Sequence, residues 1–261
     1  MSSTMQIRNC VRIAPFIAAS FLMLTPSTAT AADPFQPDEQ VNVVESKGDW
    51  YFSAFGGGNF ITDDVEYSNG QTVVDTEFDG GFILGGALGY RWTEHQFSGF
   101  VPRTEFEFNF SENEADSINF SGNGPGAEVV APGSNVSSVG LLANLFLDAP
   151  DALGDGVTPY FGGGIGVNIV DHGLIYNGPG LNLNDNNDTT FAWHVTAGLD
   201  FELTEQVSFF TDVGFRQSVD AGSTRRIGSA PVPAGPGGGF FEDDINSVVV
   251  RGGLTISFDG F

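Results

Sequence analysis

The sequence predicts an all-β chain: an eight-stranded antiparallel transmembrane β-barrel with short periplasmic turns and long external loops. Three observations predict it. Eight segments of about ten to fourteen residues alternate between apolar and small or polar side chains, the period of a strand with two unlike faces. The apolar faces are aromatic-rich, whereas the opposite faces collect Gly, Ala and charged groups. The connections alternate short and long, the arrangement of strands that cross a membrane between turns on one side and loops on the other.

Composition removes other classes. Of 261 residues, 41% are hydrophobic and 13% aromatic, too many for a disordered acidic tail. Nine Lys+Arg against 33 Asp+Glu give a formal charge of −24, which argues against a nucleic-acid partner because no basic surface can displace counterions from phosphate. One Cys supports neither a disulfide framework nor a Cys-based zinc module. After the first thirty residues no run of eighteen apolar residues occurs, so no transmembrane helix is expected in the mature chain.

The chain opens with an address. Arg8 and Arg12 precede the apolar stretch from Ile13 to Leu24, followed by Pro26, Ser27, Thr28 and Ala29-Thr30-Ala31. A positive start, a short apolar core and an A-x-A site make residues 1–31 a secretory signal peptide cut after Ala31. Cys10 leaves with it, so the exported chain is expected to be held together without disulfides. Residues 32–48 are polar, carry two prolines and read as a flexible N-terminal extension. Residues 49–261 are expected to form the barrel as one domain.

The eight segments lie at about 49–60, 80–92, 100–111, 135–147, 158–170, 190–203, 207–217 and 246–258. A tilted spanning strand needs about nine to eleven residues, and each segment supplies them. In the second, Phe82, Leu84, Leu88, Tyr90 and Trp92 oppose Gly85, Ala87, Gly89 and Arg91. The third sets Phe106, Phe108 and Phe110 against Arg103, Glu105, Glu107 and Asn109. In the sixth, Phe191, Trp193, Val195, Ala197, Leu199, Phe201 and Leu203 oppose His194, Thr196, Gly198, Asp200 and Glu202. In the seventh, Arg216 shares a face with Asp212 and Gly214, away from Val213 and Phe215. The last sets Val248, Val250, Leu254, Ile256 and Phe258 against Val249, Arg251, Thr255 and Ser257. The first and fourth segments give no clear facing.

A soluble sandwich also alternates, but it would bury its bulky residues and gain nothing from a solvated Gly-rich face. Apolar residues outside with small and charged residues inside is the transmembrane-barrel pattern. The cations decide in the same direction. Arg91, Arg103, Arg216 and Arg251 all fall within segments, on the face opposite the aromatics. An Arg on the lipid face at the midplane would cost roughly 2–4 kcal/mol. Turned inward, these four meet Glu105, Glu107, Asp200, Glu202 and Asp212 in an interior charge network.

Connections at 93–99, 148–157 and 204–206 are short and those at 61–79, 112–134, 171–189 and 218–245 are long. Eight strands then place both barrel ends on the periplasmic side.

Asp49-Trp50-Tyr51-Phe52, Gly85-Gly86-Ala87-Leu88-Gly89-Tyr90-Arg91, Arg103-Thr104-Glu105-Phe106-Glu107 and Thr158-Pro159-Tyr160-Phe161-Gly162-Gly163-Gly164-Ile165-Gly166 together resemble the eight-stranded outer-membrane β-barrel proteins. These are the porin-like and opacity-type surface proteins related to the OmpA-type transmembrane barrel. The resemblance covers nearly the whole mature chain and implies a location in the Gram-negative cell outer membrane, with lipid and lipopolysaccharide as partners. It also implies that Arg251-Gly252-Gly253-Leu254-Thr255-Ile256-Ser257-Phe258 is a terminal signal for the barrel-assembly machinery, with Gly253, Ile256 and Phe258 in the defining slots. Asp259-Gly260-Phe261 follow that motif, a departure that leaves Phe261 as the other candidate aromatic.

An eight-stranded barrel has an interior that side chains can fill. The expected function is therefore structural and surface-interacting, with long acidic loops outside and charged side chains plugging the interior. The inward small residues Gly85, Ala87, Gly89, Gly162, Gly164 and Gly166 leave room for a narrow water path, so a porin-like channel for small solutes is the alternative. A lipid A-modifying enzyme is a second alternative. His194-Val195-Thr196 with Glu202 loosely resembles the His, hydroxyl and carboxylate set of outer-membrane lipid A deacylases, in which a hydroxyl attacks an ester and His takes its proton. Here the hydroxyl belongs to a Thr and all three residues point away from lipid, so no enzyme, no catalytic residue and no cofactor is expected. His95 and His172 are expected to be solvated, in a turn and at the start of a loop. The stretch from Asn182 to Asp188 offers oxygen ligands suited to Ca²⁺ but lacks the order of an EF-hand, and Gly235-Pro236-Gly237-Gly238-Gly239 lacks the Lys and Ser/Thr of a phosphate loop. No metal site is assigned, and the external ligand is not named by the sequence.

Overall fold

In the computed structural model, the described residues are 49–62, 65–68, 72–122, 127–129, 133–150, 152–175, 181–184, 188–227, 230–231 and 240–258. Eight long strands form the wall: β1 (Asp49–Ile61), β2 (Gly81–Arg91), β3 (Val101–Gly122), β4 (Asn135–Asp148), β5 (Val157–Ile175), β6 (Asp188–Glu202), β7 (Val207–Ile227) and β8 (Phe240–Phe258). Each is antiparallel to its neighbours, and β8 returns to β1 in continuous register from Trp50↔Phe258 to Ile61↔Ser247. The sheet is therefore a closed barrel, which in lipid leaves no strand edge with unpaired backbone groups. No helix occurs among the described residues.

Burial follows the alternation strand by strand. On β3, Arg103, Glu107 and Asn109 are buried while Phe106 and Phe108 stand outside. On β6, His194, Thr196 and Asp200 are buried, with Phe191 and Val195 outside. Facing on β1, which the sequence left open, is settled by the register with β2 and β8. Tyr51, Ser53, Phe55 and Asn59 turn inward; Trp50, Phe52 and Phe60 turn outward. The fourth strand likewise buries Leu142, Asn144, Phe146 and Asp148 and exposes Leu145.

Five inward glycines are paired with aromatic rings on the neighbouring strand. Tyr51↔Gly89 and Phe55↔Gly85 are cross-strand partners on β1 and β2, as are Phe146↔Gly162 on β4 and β5. Tyr160↔Gly198 and Phe210↔Gly253 repeat the pairing on β5–β6 and β7–β8. In all five, a β-carbon added to the glycine would collide with the partner ring. Each of these glycines is the floor for an inward aromatic ring, so rings take up the space beside Gly85, Gly89 and Gly162. Phe55, Ile83, Phe146, Tyr160, Phe210 and Val249 make up the buried apolar cluster inside the barrel.

Four expected loops are largely strand. β3 runs to Gly122, β5 to Ile175 and β7 to Ile227, while β8 begins at Phe240, so the wall continues well past the segments that alternation marks. Short strands Val65–Ser68, Thr72–Phe78, Ala127–Val129, Leu181–Asn184 and Ala230–Pro231 extend it further. A sheet outside hydrocarbon needs no apolar face, so strict alternation does not mark these extensions. His172 accordingly lies in β5 and is buried, contrary to the solvated position expected of it. The signal peptide, the extension 32–48, residues 185–187 of the Asn/Asp stretch, the glycine run 235–239 and Phe261 lie outside the described residues.

Candidate functional site: the charged interior

Glu107 is the hub. Its Oε1 accepts from Arg216 Nη2 and Asn109 Nδ2, each at 2.9 Å. Its Oε2 accepts from Asn144 Nδ2 at 3.0 Å and Arg251 Nη1 at 3.1 Å. One carboxylate thus ties β3, β4, β7 and β8 together across the lumen. Arg251 also forks onto Asp212, with Nε and Nη2 each 2.9 Å from a carboxylate oxygen, the bidentate geometry that a planar guanidinium favours. Tyr160 donates its hydroxyl to Asp212 at 2.9 Å, and Arg216 Nη1 donates to Asn109 Oδ1 at 2.7 Å.

A second cluster lies nearer the short turns. Arg103 approaches Glu105 through Nη1 and Asp148 through Nε, both at 3.1 Å. Arg91 donates to the other oxygen of Asp148 at 3.0 Å, and Tyr51 donates to Glu105 at 2.7 Å. The glycine-seated rings hold these cations from the side. The Arg103 guanidinium lies 4.6 Å from the Tyr160 ring centre and 4.9 Å from that of Phe146, and Arg251 lies 4.7 Å from Phe55. An aromatic face attracts a cation most strongly where water is excluded.

The structure thus brings together Arg91, Arg103, Glu105, Glu107, Asp212, Arg216 and Arg251. Asp200 is buried but accepts from Ser208 at 3.0 Å instead of an arginine. Glu202 departs from the expected set: it is exposed at the rim, where β6 ends. Asp148, Asn109, Asn144, Tyr51 and Tyr160 complete the network without having been assigned to it from sequence. Asp148 and Asn144 belong to the strand whose facing the alternation leaves undecided. Their inward position becomes visible only through register with β3 and β5.

Between these side chains little space remains. Narrow hollows lie along the lumen, of about 20 Å³ beside Arg103 and Arg251, about 10 Å³ beside His194 and Arg251, and about 30 Å³ among Asn59, Asn113, Asn168 and Ser218. A single water molecule needs at least about 10–15 Å³ of such space. A wider hollow of about 390 Å³ opens at the turn end, bordered by Asp49, Arg91, Asp200, Glu202 and Glu205. His194 donates from Nε2 to Asn144 Oδ1 at 2.9 Å, leaving Nδ1 of the neutral ring to accept from the Thr196 hydroxyl at 3.1 Å. Glu202 lies eight residues further along β6, roughly 26 Å at the rise of a strand, so the three residues do not form a nucleophile, base and carboxylate set. Among the described residues no cluster of three His, Cys, Asp or Glu could hold a metal ion.

Of the residues expected to carry an assembly signal, Gly253 is the floor for Phe210, Ile256 faces outward, and Phe258 is the register partner of Trp50 where the barrel closes.

A closed barrel with an aromatic and aliphatic outer belt, paired charges within and both described ends beside the short turns is an integral outer-membrane barrel. Residues 16–250 match the family described as outer membrane protein beta-barrel domain, and the chain belongs to it. Among solved structures, the Neisserial surface protein A is similar at 13% identity, covering 80% of this chain and 97% of that one with a TM-score of 0.44. The outer membrane protein AlkL in lipid bilayers is similar at 15% identity, covering 91% and 98%, TM-score 0.42. The Escherichia coli outer membrane protein W is similar at 13% identity, covering 82% and 100%, TM-score 0.35. No curated protein matches the sequence.

Proposed function

We propose that this outer-membrane barrel serves a structural and surface-interaction role, its interior plugged by charged side chains, and that it is neither a solute channel nor an enzyme. One observation carries the reading: the four donors from Asn109, Asn144, Arg216 and Arg251 that converge on Glu107 and span the lumen. A solute would have to part buried, hydrogen-bonded ion pairs around Glu107, and the desolvation penalty for unpairing such charges is several kcal/mol. The isolation of His194 and Thr196 from a third catalytic group supports the non-enzymatic part. Residues 1–31 would direct export as a signal peptide, and 32–48 would be an extension that precedes the barrel in sequence.

The test is electrical. The exported protein, inserted in planar bilayers, is expected to give insertions without sustained openings; steady openings in most insertions would replace the plugged barrel with a pore. For the enzymatic alternative, His194→Ala is expected to leave the mass of lipid A unchanged in cells that express the protein.

A further inference from the structure

We propose that the turn between β2 and β3 is a membrane foot, with Phe97 inserted among the acyl chains of the phospholipid leaflet that faces the periplasm. Phe97 is the most exposed large apolar residue among those described, at 76%, against 58% for Phe106 on the lipid belt itself. That exposure belongs to a tied structure. Phe97 and Phe100 exchange backbone hydrogen bonds at 2.8 and 2.9 Å, His95 N donates to Trp92 O at 3.0 Å, and Trp92 N donates to Pro102 O at 2.9 Å. The two residues between the phenylalanines, Ser98 and Gly99, have φ of 51° and 85°, as a two-residue hairpin turn with left-handed positions requires. The ring is therefore held out by the backbone.

What it is held out into follows from its neighbours. Phe100 packs edge-on against Phe161 at 5.8 Å, and Phe161 is an outward residue of the lipid belt, so the base of the turn is continuous with that belt. On the other side an aromatic column descends towards the turn: Trp50 to Tyr90 at 5.2 Å, Tyr90 to Trp92 at 4.8 Å, Trp92 to His95 at 6.0 Å. Trp92 meets its polar requirement by donating to Thr104 at 3.2 Å, and such rings with one apolar body and one satisfied tip settle where hydrocarbon gives way to headgroups. A phenyl ring placed just beyond that level gains by returning to the acyl chains and gains nothing in water. The other two short turns each present one large apolar residue as well, Leu153 at 61% and Leu203 at 59%, but neither has a ring contact to the belt such as Phe100 makes with Phe161.

A nitroxide reads this directly. Phe97→Cys in a Cys10→Ser chain, exported, labelled and placed in phosphatidylethanolamine/phosphatidylglycerol vesicles, is compared with Glu205→Cys in the turn between β6 and β7. The expected ratio of oxygen to nickel-chelate accessibility is several-fold higher at 97 than at 205. A water-like ratio at 97, whatever the value at 205, overturns the proposal; so does low access for both reagents at 97, the mark of a protein cover. Ser98→Cys, which keeps the ring, provides the same reading if loss of Phe97 impairs folding.

Discussion

Arg251 Nη1 stands 3.1 Å from Glu107 Oε2 although 144 residues separate them in sequence. The contact reaches from the last strand to the third, across the lumen. It exists because closure of β8 on β1 fixes both residues at one level of the barrel, and the same carboxylate also receives Arg216. Two guanidinium groups depend on one carboxylate, with Asp212 as the second anion of the cluster.

Glu107→Gln is expected to cost about 3–5 kcal/mol, the loss seen when one member of a buried charge group is removed and the others stay. Arg216 would keep its hydrogen bond to Asn109. Urea titration of the vesicle-inserted barrel, followed by tryptophan emission, measures it. A midpoint equal to that of the parent would mean that water enters the lumen and screens the arginines.

Arg251 lines both the 20 Å³ and the 10 Å³ hollows, so truncating its side chain enlarges both. Arg251→Ala is expected to merge the two voids and to turn a silent barrel into one with brief, small openings in planar bilayers. Phe55 loses its cation in the same variant, which loosens the ring over Gly85 and favours the same outcome. A silent R251A barrel would locate the block at Arg216 or Arg103 instead.

The pairing of rings with glycines is testable at Gly89, where the nearest atoms to an added β-carbon all belong to Tyr51. Gly89→Ala is expected to destabilise by about 1–3 kcal/mol, as overpacking does. Because the collision is with one movable ring, the penalty should largely disappear in a Tyr51→Ala background. A double-mutant cycle in urea reads this coupling directly. Additive penalties would mean that the wall, not the ring, resists the methyl group.

Period two made the strands and their lipid faces legible because the hydrocarbon imposes it on every outward position, as in Phe106, Phe108, Leu84 and Leu254. Past the hydrocarbon that rule ends, which is why β3, β5, β7 and β8 outrun the segments that alternation marks. The arginines were legible for a similar reason: nothing but the lumen tolerates them there. Phe55, Phe146 and Phe210 were not, since an inward aromatic breaks the pattern and makes sense only beside a glycine on the next strand. That requires the register, which no single segment contains. Asp148 was missed and Glu202 over-assigned on the same ground: both end a strand, where facing alone does not say whether a side chain is inside the lumen or at its rim.

Orientation of the third strand gives the sharpest test of the membrane assignment. About ten residues of a tilted strand cross the hydrocarbon, so counting from Val101 at the turn end places Phe106 near the midplane and Glu112 just beyond the outer boundary. Both project outward, since the buried Ser111 and Asn113 on either side of Glu112 face the lumen. Arg substituted for Phe106 is expected to cost roughly 2–4 kcal/mol, and Glu112→Arg about 0–1 kcal/mol, because the penalty for a lipid-facing cation falls steeply with distance from the midplane. Folding free energies in phospholipid vesicles report both. Equal penalties would place the two positions at one depth, which a spanning β3 forbids; a negligible penalty at 106 would put that ring in water and remove the belt of which it is the centre.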